Sequence, residues 1–374
     1  MAEVDDPGAR AVALHEQAIA QREAGRYRDA ERACREAVEI FEEVDGAESP
    51  DLANALIEHG RLLELLDRHG EAATVLDRAI EILKPLVAAP APDDTDDMAL
   101  AVAEELLRLL LGGELARASV LRARGRLDEA EGAYRRVLER AEAAFPDGDH
   151  LVAEALNGLG MVHKFQGRYA DAEPLYRRAL AYAEAIGGEE EQATLLHNLG
   201  GLCHARGDFA AGEPLARRAV ELRQARLGPD HPVVAADREA WGALLEGLGR
   251  LPEAERAYAA ALATFESHQG PTSLEAASSL AALGSVQHAQ GRLDDALACH
   301  RRALAIREAL LPAQHFDLAL TMNNLAMLLD ERGETDEART LLERALAIFT
   351  ISLGPAHPHT RSVAKNIAAL SRRN

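Results

Sequence analysis

The chain has 374 residues and a formal net charge of −21, from 41 Lys and Arg against 62 Asp and Glu. A phosphate-binding surface needs clustered cations, so this balance argues against a nucleic-acid partner; it suits the solubility of a long exposed array, and its sharper reading is a preference for a basic partner. Aromatic residues make up only 4%, and the good helix formers Ala, Leu, Glu and Arg dominate, so an all-α fold with an Ala–Leu core is expected.

Residues 1–7 read as a disordered tail, acidic and without the apolar segment of a signal peptide. Helix patterns then run over about Ala9–Ala24 and Tyr27–Glu43, joined by a turn at Gly25. That turn begins a phrase found eight times, at Gly25, Asp67, Gly125, Gly167, Gly207, Gly249, Gly291 and Gly333. Five of the seven intervals are 42 residues, one is 58 and one is 40, and a fixed period of this length marks a helical solenoid. Five residues after each turn stands Ala30, Ala72, Ala130, Ala172, Gly212, Ala254, Ala296 or Ala338. Seven residues before it stands Ala18, Gly60, Ala118, Gly160, Gly200, Gly242, Gly284 or Ala326. Small residues in fixed columns are expected where helix backbones approach closely.

The first two repeats fill 8–87, with Ser49 as N-cap and Pro50 at the first helical position of the second. Residues 88–97, with Pro90, Pro92 and four aspartates, interrupt the period. The interruption reads as a tolerated loop or as a hinge or acidic docking loop. The pattern resumes at Met98 and runs long, to about Arg124, with a potential kink at Gly112–Gly113. Repeats three to eight occupy 98–356, with Pro174, Pro214 and Pro252 expected in first turns. Thr272–Glu275 matches a capping box, and His231–Pro232 and His357–Pro358 stand at helix starts. Residues 357–374 form a capping helix and tail.

The phrases Asn323-Asn324-Leu325-Ala326-Met327-Leu328-Leu329 and Arg344-Ala345-Leu346-Ala347-Ile348, with the links Leu227-Gly228-Pro229-Asp230-His231-Pro232 and Leu353-Gly354-Pro355-Ala356-His357-Pro358, resemble the 42-residue tetratricopeptide repeats of kinesin light chains and many bacterial proteins. The resemblance covers nearly the whole chain. It implies a right-handed α-solenoid of eight helix-turn-helix units plus a C-terminal capping helix, with the first helix of each unit lining a concave groove. Columns on that face then supply the candidate partner-binding residues Asn157, Lys164, His197, Asn198, His204, Glu239, His288, Asn323, Asn324, Lys365 and Asn366, with Met161, Phe165 and Met327 as apolar anchors. Asparagine suits an extended peptide because its amide both donates to and accepts from a backbone. The same asparagines could instead bridge neighbouring helices.

Catalytic and metal motifs are not expected. There is no Gly-x-x-x-x-Gly-Lys and no His-Glu-x-x-His; Cys299 and His300, adjacent on a helix, point apart; and His197 with His204 lacks an evident third ligand. Cys34, Cys203 and Cys299 share no paired spacing and read as small hydrophobes of a reducing cytoplasm. Ala- and Arg-rich usage suits a high-GC bacterium. The expected function is that of a non-enzymatic, cytoplasmic interaction module with no cofactor, no metal and no membrane partner, binding a peptide or partner domain in the groove. The alternatives are a regulatory subunit that holds an effector enzyme through the convex face or the ends, and a self-assembling solenoid.

Overall fold

The computed structural model describes residues 6–89, 97–146 and 149–370, which form seventeen α-helices and no strand. They fall into eight consecutive pairs. These are α1 (Pro7–Glu23) with α2 (Tyr27–Val44), α3 (Pro50–Leu65) with α4 (His69–Ala88), α5 (Asp97–Ala123) with α6 (Leu127–Ala144), and α7 (His150–Phe165) with α8 (Tyr169–Ile186). There follow α9 (Glu189–Ala205) with α10 (Phe209–Leu227), α11 (Pro232–Gly247) with α12 (Leu251–Gln269), α13 (Leu274–Ala289) with α14 (Leu293–Leu310), and α15 (Phe316–Arg332) with α16 (Thr335–Leu353). A single helix, α17 (Pro358–Leu370), comes last. The chain divides inside α9 into two compact units, Met1–Leu202 and Cys203–Asn374, each described by itself.

One turn chemistry joins the helices of every pair. The turn residue takes a left-handed φ, for example 75° at Gly167 and 57° at Asp67, where an aspartate replaces the glycine. The next N–H then bonds the carbonyl five residues back: Arg26 to Gln21, Arg68 to Leu63, Arg168 to His163, Arg250 to Leu245 and Glu334 to Leu329, each at 2.8 or 2.9 Å. Carbonyls that the ending helix would otherwise leave without partners are satisfied, so the chain reverses without losing backbone bonds.

The small columns are holes filled from the second helix of the pair. A Cβ built on Gly160 would lie 2.6 Å from Tyr176 Cε1, one on Gly242 2.8 Å from Tyr258 Cε1, one on Gly60 2.4 Å from Leu76 Cγ, and one on Gly284 2.9 Å from His300 Cδ2. In each case the filling residue is sixteen positions after the hole. The alanine columns at the start of the second helices, including Ala30, Ala72, Ala130, Ala172, Ala254, Ala296 and Ala338, are fully buried.

Charge ladders tie several second helices to the second helix of the next pair. Arg78 meets Glu42 at 2.7 Å, Arg302 meets Glu266 at 2.6 Å, Arg344 meets Glu308 at 2.8 Å, and Arg178 meets Glu142, always 36 residues back. A second ladder runs from the turn arginine to a glutamate 37 residues back: Arg68 to Glu31, Arg168 to Glu131, Arg250 to Glu213 and Arg292 to Glu255. The exposed pairs of the first ladder contribute little energy singly, so register is their main effect, whereas Glu31 of the second ladder is buried.

Four details differ from the sequence reading. Pro174 and Pro214 are the sixth residues of α8 and α10, past the first turn, and both helices continue through them. The cap of α13 is Ser273 rather than Thr272, with its hydroxyl accepting from Ala276 N at 3.1 Å, because the helix begins one residue later. Gly112 and Gly113 lie buried inside an uninterrupted α5, where a Cβ on Gly113 would come 3.2 Å from Ile57 Cδ1; they make room for α3. Asp6, placed in the expected tail, caps α1. Of the expected interruption at 88–97, Ala88 ends α4 and Asp97 begins α5, while 90–96, like residues 1–5 and 371–374, lies outside the described residues.

Candidate partner-binding face

In the unit that ends at Leu202, the first helices of the pairs enclose two concavities. One, of about 210 Å³, lies between α7 and α9 and is lined by His150, Ala153, Glu154, Asn157, Glu190, Glu191, Thr194 and Leu195. The other is an open cleft of about 630 Å³, formed by Arg22 of α1, Arg61, Glu64 and Leu65 of α3, Asp67 and His69 beyond it, Ala116, Ser119 and Ala123 of α5, and Glu154 of α7. Glu154 lines both, so the two concavities adjoin along α7.

Most charges on this face are neutralised internally. Arg22 Nε donates to Glu58 Oε1 at 2.6 Å, and Glu58 is buried. Ser119 Oγ donates to Glu64, with Arg122 3.7 Å from the same carboxylate. The Arg122 guanidinium also stands 6.0 Å from the centre of the Phe165 ring, which is 62% exposed. Glu154 is exposed and makes no ion pair among the described residues.

The expected groove asparagines do meet each other. Asn198 Nδ2 donates to Asn157 Oδ1 at 2.7 Å, linking α9 to α7. Each amide retains capacity for further bonds, since this contact uses one of Asn157's two lone pairs and one of Asn198's two N–H groups. Lys164, half-buried, reaches across to α9: a Cβ on Gly201 would lie 2.8 Å from its Nζ. Burial holds its pKa below the usual lysine value. Met161 and His197 are half-buried beside these groups in sequence.

The remaining candidates lie in the unit that begins at Cys203. His204 is exposed, its ring 5.5 Å from Phe209. Glu239 accepts from Ser279 Oγ, and burial, reinforced by Glu275, raises its pKa. His288 pairs with Glu331 at 2.7 Å. Asn366 Nδ2 donates to Asn323 Oδ1 at 3.0 Å, and Asn323 Nδ2 to Asn324 Oδ1 at 3.3 Å, repeating the link between first helices seen at Asn157 and Asn198. Met327 is 41% exposed and Lys365 is exposed.

Two features escaped the sequence reading. Gly158 shares the repeat column of the candidates Asn198, Asn324 and Asn366, yet it is buried under Tyr134, whose Cε1 would be 2.2 Å from a Cβ there. Buried polar links also stand at core positions: Arg223 with Asp237, and Arg307 Nη1 donating to Thr321 Oγ1. Burial lowers the pKa of Arg307. An arginine in a column otherwise filled by Phe, Leu and Ala was the available signal. Among the described residues no group of three or more His, Cys, Asp or Glu could hold a metal ion, and no helix is long and apolar enough to cross a membrane.

Comparison with known proteins agrees with this geometry. Residues 9–84, 99–185, 191–267, 236–309 and 318–359 match family models described as tetratricopeptide repeat. No curated protein matches the chain. Among solved structures, BtubC (BKLC) from P. vanneervenii is 24% identical, covering 66% of this chain and 94% of its own, with a TM-score of 0.51. A Rap protein complexed with Competence and Sporulation Factor is 14% identical over 98% of this chain and 99% of its own, with a TM-score of 0.56. A signal-transduction ATPase with a tetratricopeptide repeat sensor from Pyrococcus horikoshii is 10% identical over 92% of this chain and 49% of its own, with a TM-score of 0.59. At these identities the likeness is one of fold.

Proposed function

We propose that this chain, which belongs to the tetratricopeptide repeat family, acts as a protein-interaction module that takes an extended peptide segment along the first helices of residues 6–202. The observation that carries this reading is the pair of concavities adjoining at Glu154, one of them lined by Asn157. The asparagine amides supply backbone-directed hydrogen bonds, the exposed Phe165 an apolar anchor, and the unpaired Glu154 carboxylate a contact for a basic side chain. The negative balance of the whole chain favours such a partner. A Rap protein with this fold has been captured with Competence and Sporulation Factor, in keeping with a peptide or protein ligand.

The module is read as non-enzymatic and without cofactor, and its other candidate residues, from Glu239 to Asn366, as secondary contacts. Affinity capture from the source cell's lysate, with the wild type and Glu154→Arg compared by mass spectrometry, tests the reading. Glu154 is exposed, so the substitution leaves the fold intact. A partner retained by the wild type and lost by the variant supports the proposal; a partner held equally by both removes it.

A second reading places an effector protein on the first turns of α5, where Met98 is 79% and Val102 55% exposed. Met98→Lys with Val102→Lys would then abolish capture while Glu154→Arg would not.

A further inference from the structure

Three helices of the unit that begins at Cys203 are capped by imidazoles. His231 Nδ1 accepts from Val233 N, His315 Nδ1 from Asp317 N, and His357 Nδ1 from His359 N, each at 3.2 Å. The corresponding caps of α3, α7 and α13 are Ser49, Asp149 and Ser273. A serine hydroxyl or an aspartate carboxylate accepts throughout the neutral and mildly acidic range. An imidazole accepts at Nδ1 only while that nitrogen keeps its lone pair. Once protonated, it presents an N–H to the helix's own N–H and a positive charge to the positive end of the helix dipole.

The three sites are not equivalent. His315 Nδ1 also lies 3.9 Å from Asp317 Oδ2, a carboxylate that compensates an imidazolium. His231 has further partners. At His357 the neighbours oppose the charge instead. The His359 imidazole stacks on it with ring centres 5.3 Å apart, so a second cation would repel the first. Arg361 follows one turn on and is also positive. From α16 and α15 the aromatic contacts reach His359 and are uncharged: Phe349 at 5.5 Å and Phe316 at 5.5 Å. This ring stack sits where α17 joins α16, alongside Thr360 Oγ1 bonding Gly354 O at 2.8 Å.

We propose that His357 is a proton-sensitive joint that holds α17 onto α15 and α16 at neutral pH and loosens it under mild acid. Release would uncover Phe349, which is 1% exposed, and the core that Val363 and Leu370 close. The device would therefore convert a pH change into an apolar surface at this end of the described chain.

The test is amide hydrogen exchange, followed helix by helix in the full chain from about pH 7.5 to about pH 5 and corrected for intrinsic exchange. Opening of α17 should increase about fivefold across this range, the effect of one lost cap, while α3, capped by Ser49 before Pro50, stays flat. His357→Ser reproduces the Ser-Pro start that α3 already uses, so a folded variant is expected. Its α17 should lack the acid step, whereas other titrations persist in both proteins and cancel in the comparison. His357→Ala should leave α17 loosened at both ends of the range. An acid step of equal size in the wild type and His357→Ser overturns the proposal, as does a wild-type α17 whose protection does not change with pH.

Discussion

Arg223 Nε lies 3.2 Å from Asp237 Oδ2, with both side chains buried between α10 and α11. Counted from the repeat turns, Arg223 occupies the column of Phe41, Phe265 and Phe349, and the residue facing that column from the next pair, Asp237, corresponds to Ser279 and Thr321. Both arginines of the column face a polar partner, Arg223 with Asp237 and Arg307 with Thr321, whereas Phe265 faces Ser279, whose hydroxyl turns to Glu239 instead. Arg223→Ala should destabilise the chain by about 3–5 kcal/mol, since it takes the guanidinium away from a buried carboxylate. Arg223→Phe with Asp237→Ser installs the combination found one repeat later and should recover most of the loss. Chemical denaturation of the two variants against the wild type measures both.

Gly160 and Tyr176 give a steric counterpart. Gly160→Ala forces a methyl to within 2.6 Å of the Tyr176 ring, and overpacking of this kind costs about 1–3 kcal/mol. The same two columns hold Ala326 and Leu342 in the last pair, both fully buried. Tyr176→Leu added to Gly160→Ala should therefore restore stability. A double-mutant cycle that shows simple additivity would contradict the hole-and-filler account.

His300 fills the hole at Gly284, and burial, with Arg307 and His288 nearby, lowers its pKa from 6.5 to about 4. The fold thus favours the neutral ring. Its contribution to stability is fully present above pH 6.5, the unfolded value, and is lost as pH falls toward about 4, on the order of 3 kcal/mol in all. Tyrosine fills the corresponding holes at Gly160 and Gly242, so His300→Tyr should fold and flatten this part of the pH–stability curve. Thermal melts at intervals between about pH 7 and about pH 4 would show it.

The Asn198–Asn157 contact separates two roles for these amides. Asn198→Ala removes one bond between α7 and α9 and should cost about 0.5–1.5 kcal/mol of stability. Partner affinity should fall further than this if the same amides also meet a peptide. Melting and titration calorimetry on the one variant distinguish the two effects.

The repeat turns and small columns were legible in the sequence because backbone geometry dictates them. A left-handed turn favours Gly25 or Gly167, and the hole column admits Gly under a bulky filler such as Tyr176 and Ala where the filler is smaller, as at Ala326 with Leu342, so small residues must recur. What could not be read depends on how far one pair is offset from the next. That offset decides that Asn157 and Asn198, 41 residues apart, lie within hydrogen-bonding distance, and that Gly158 is roofed by Tyr134 instead of facing outward. It also places Glu154 in both concavities, although no periodic column marks it. The imidazole caps were half legible: His231 and His357 were recognised at helix starts, but not that Nδ1 is the accepting atom.

The most direct measurement is a hydrogen-exchange footprint of the captured partner bound to the full chain. A peptide laid along the proposed face predicts new protection in α3, α5 and α7 and the first turns of α9, with α2, α4, α6 and α8 unchanged. Protection confined to the second helices, or to the exposed start of α5 around Met98 and Val102, would contradict it.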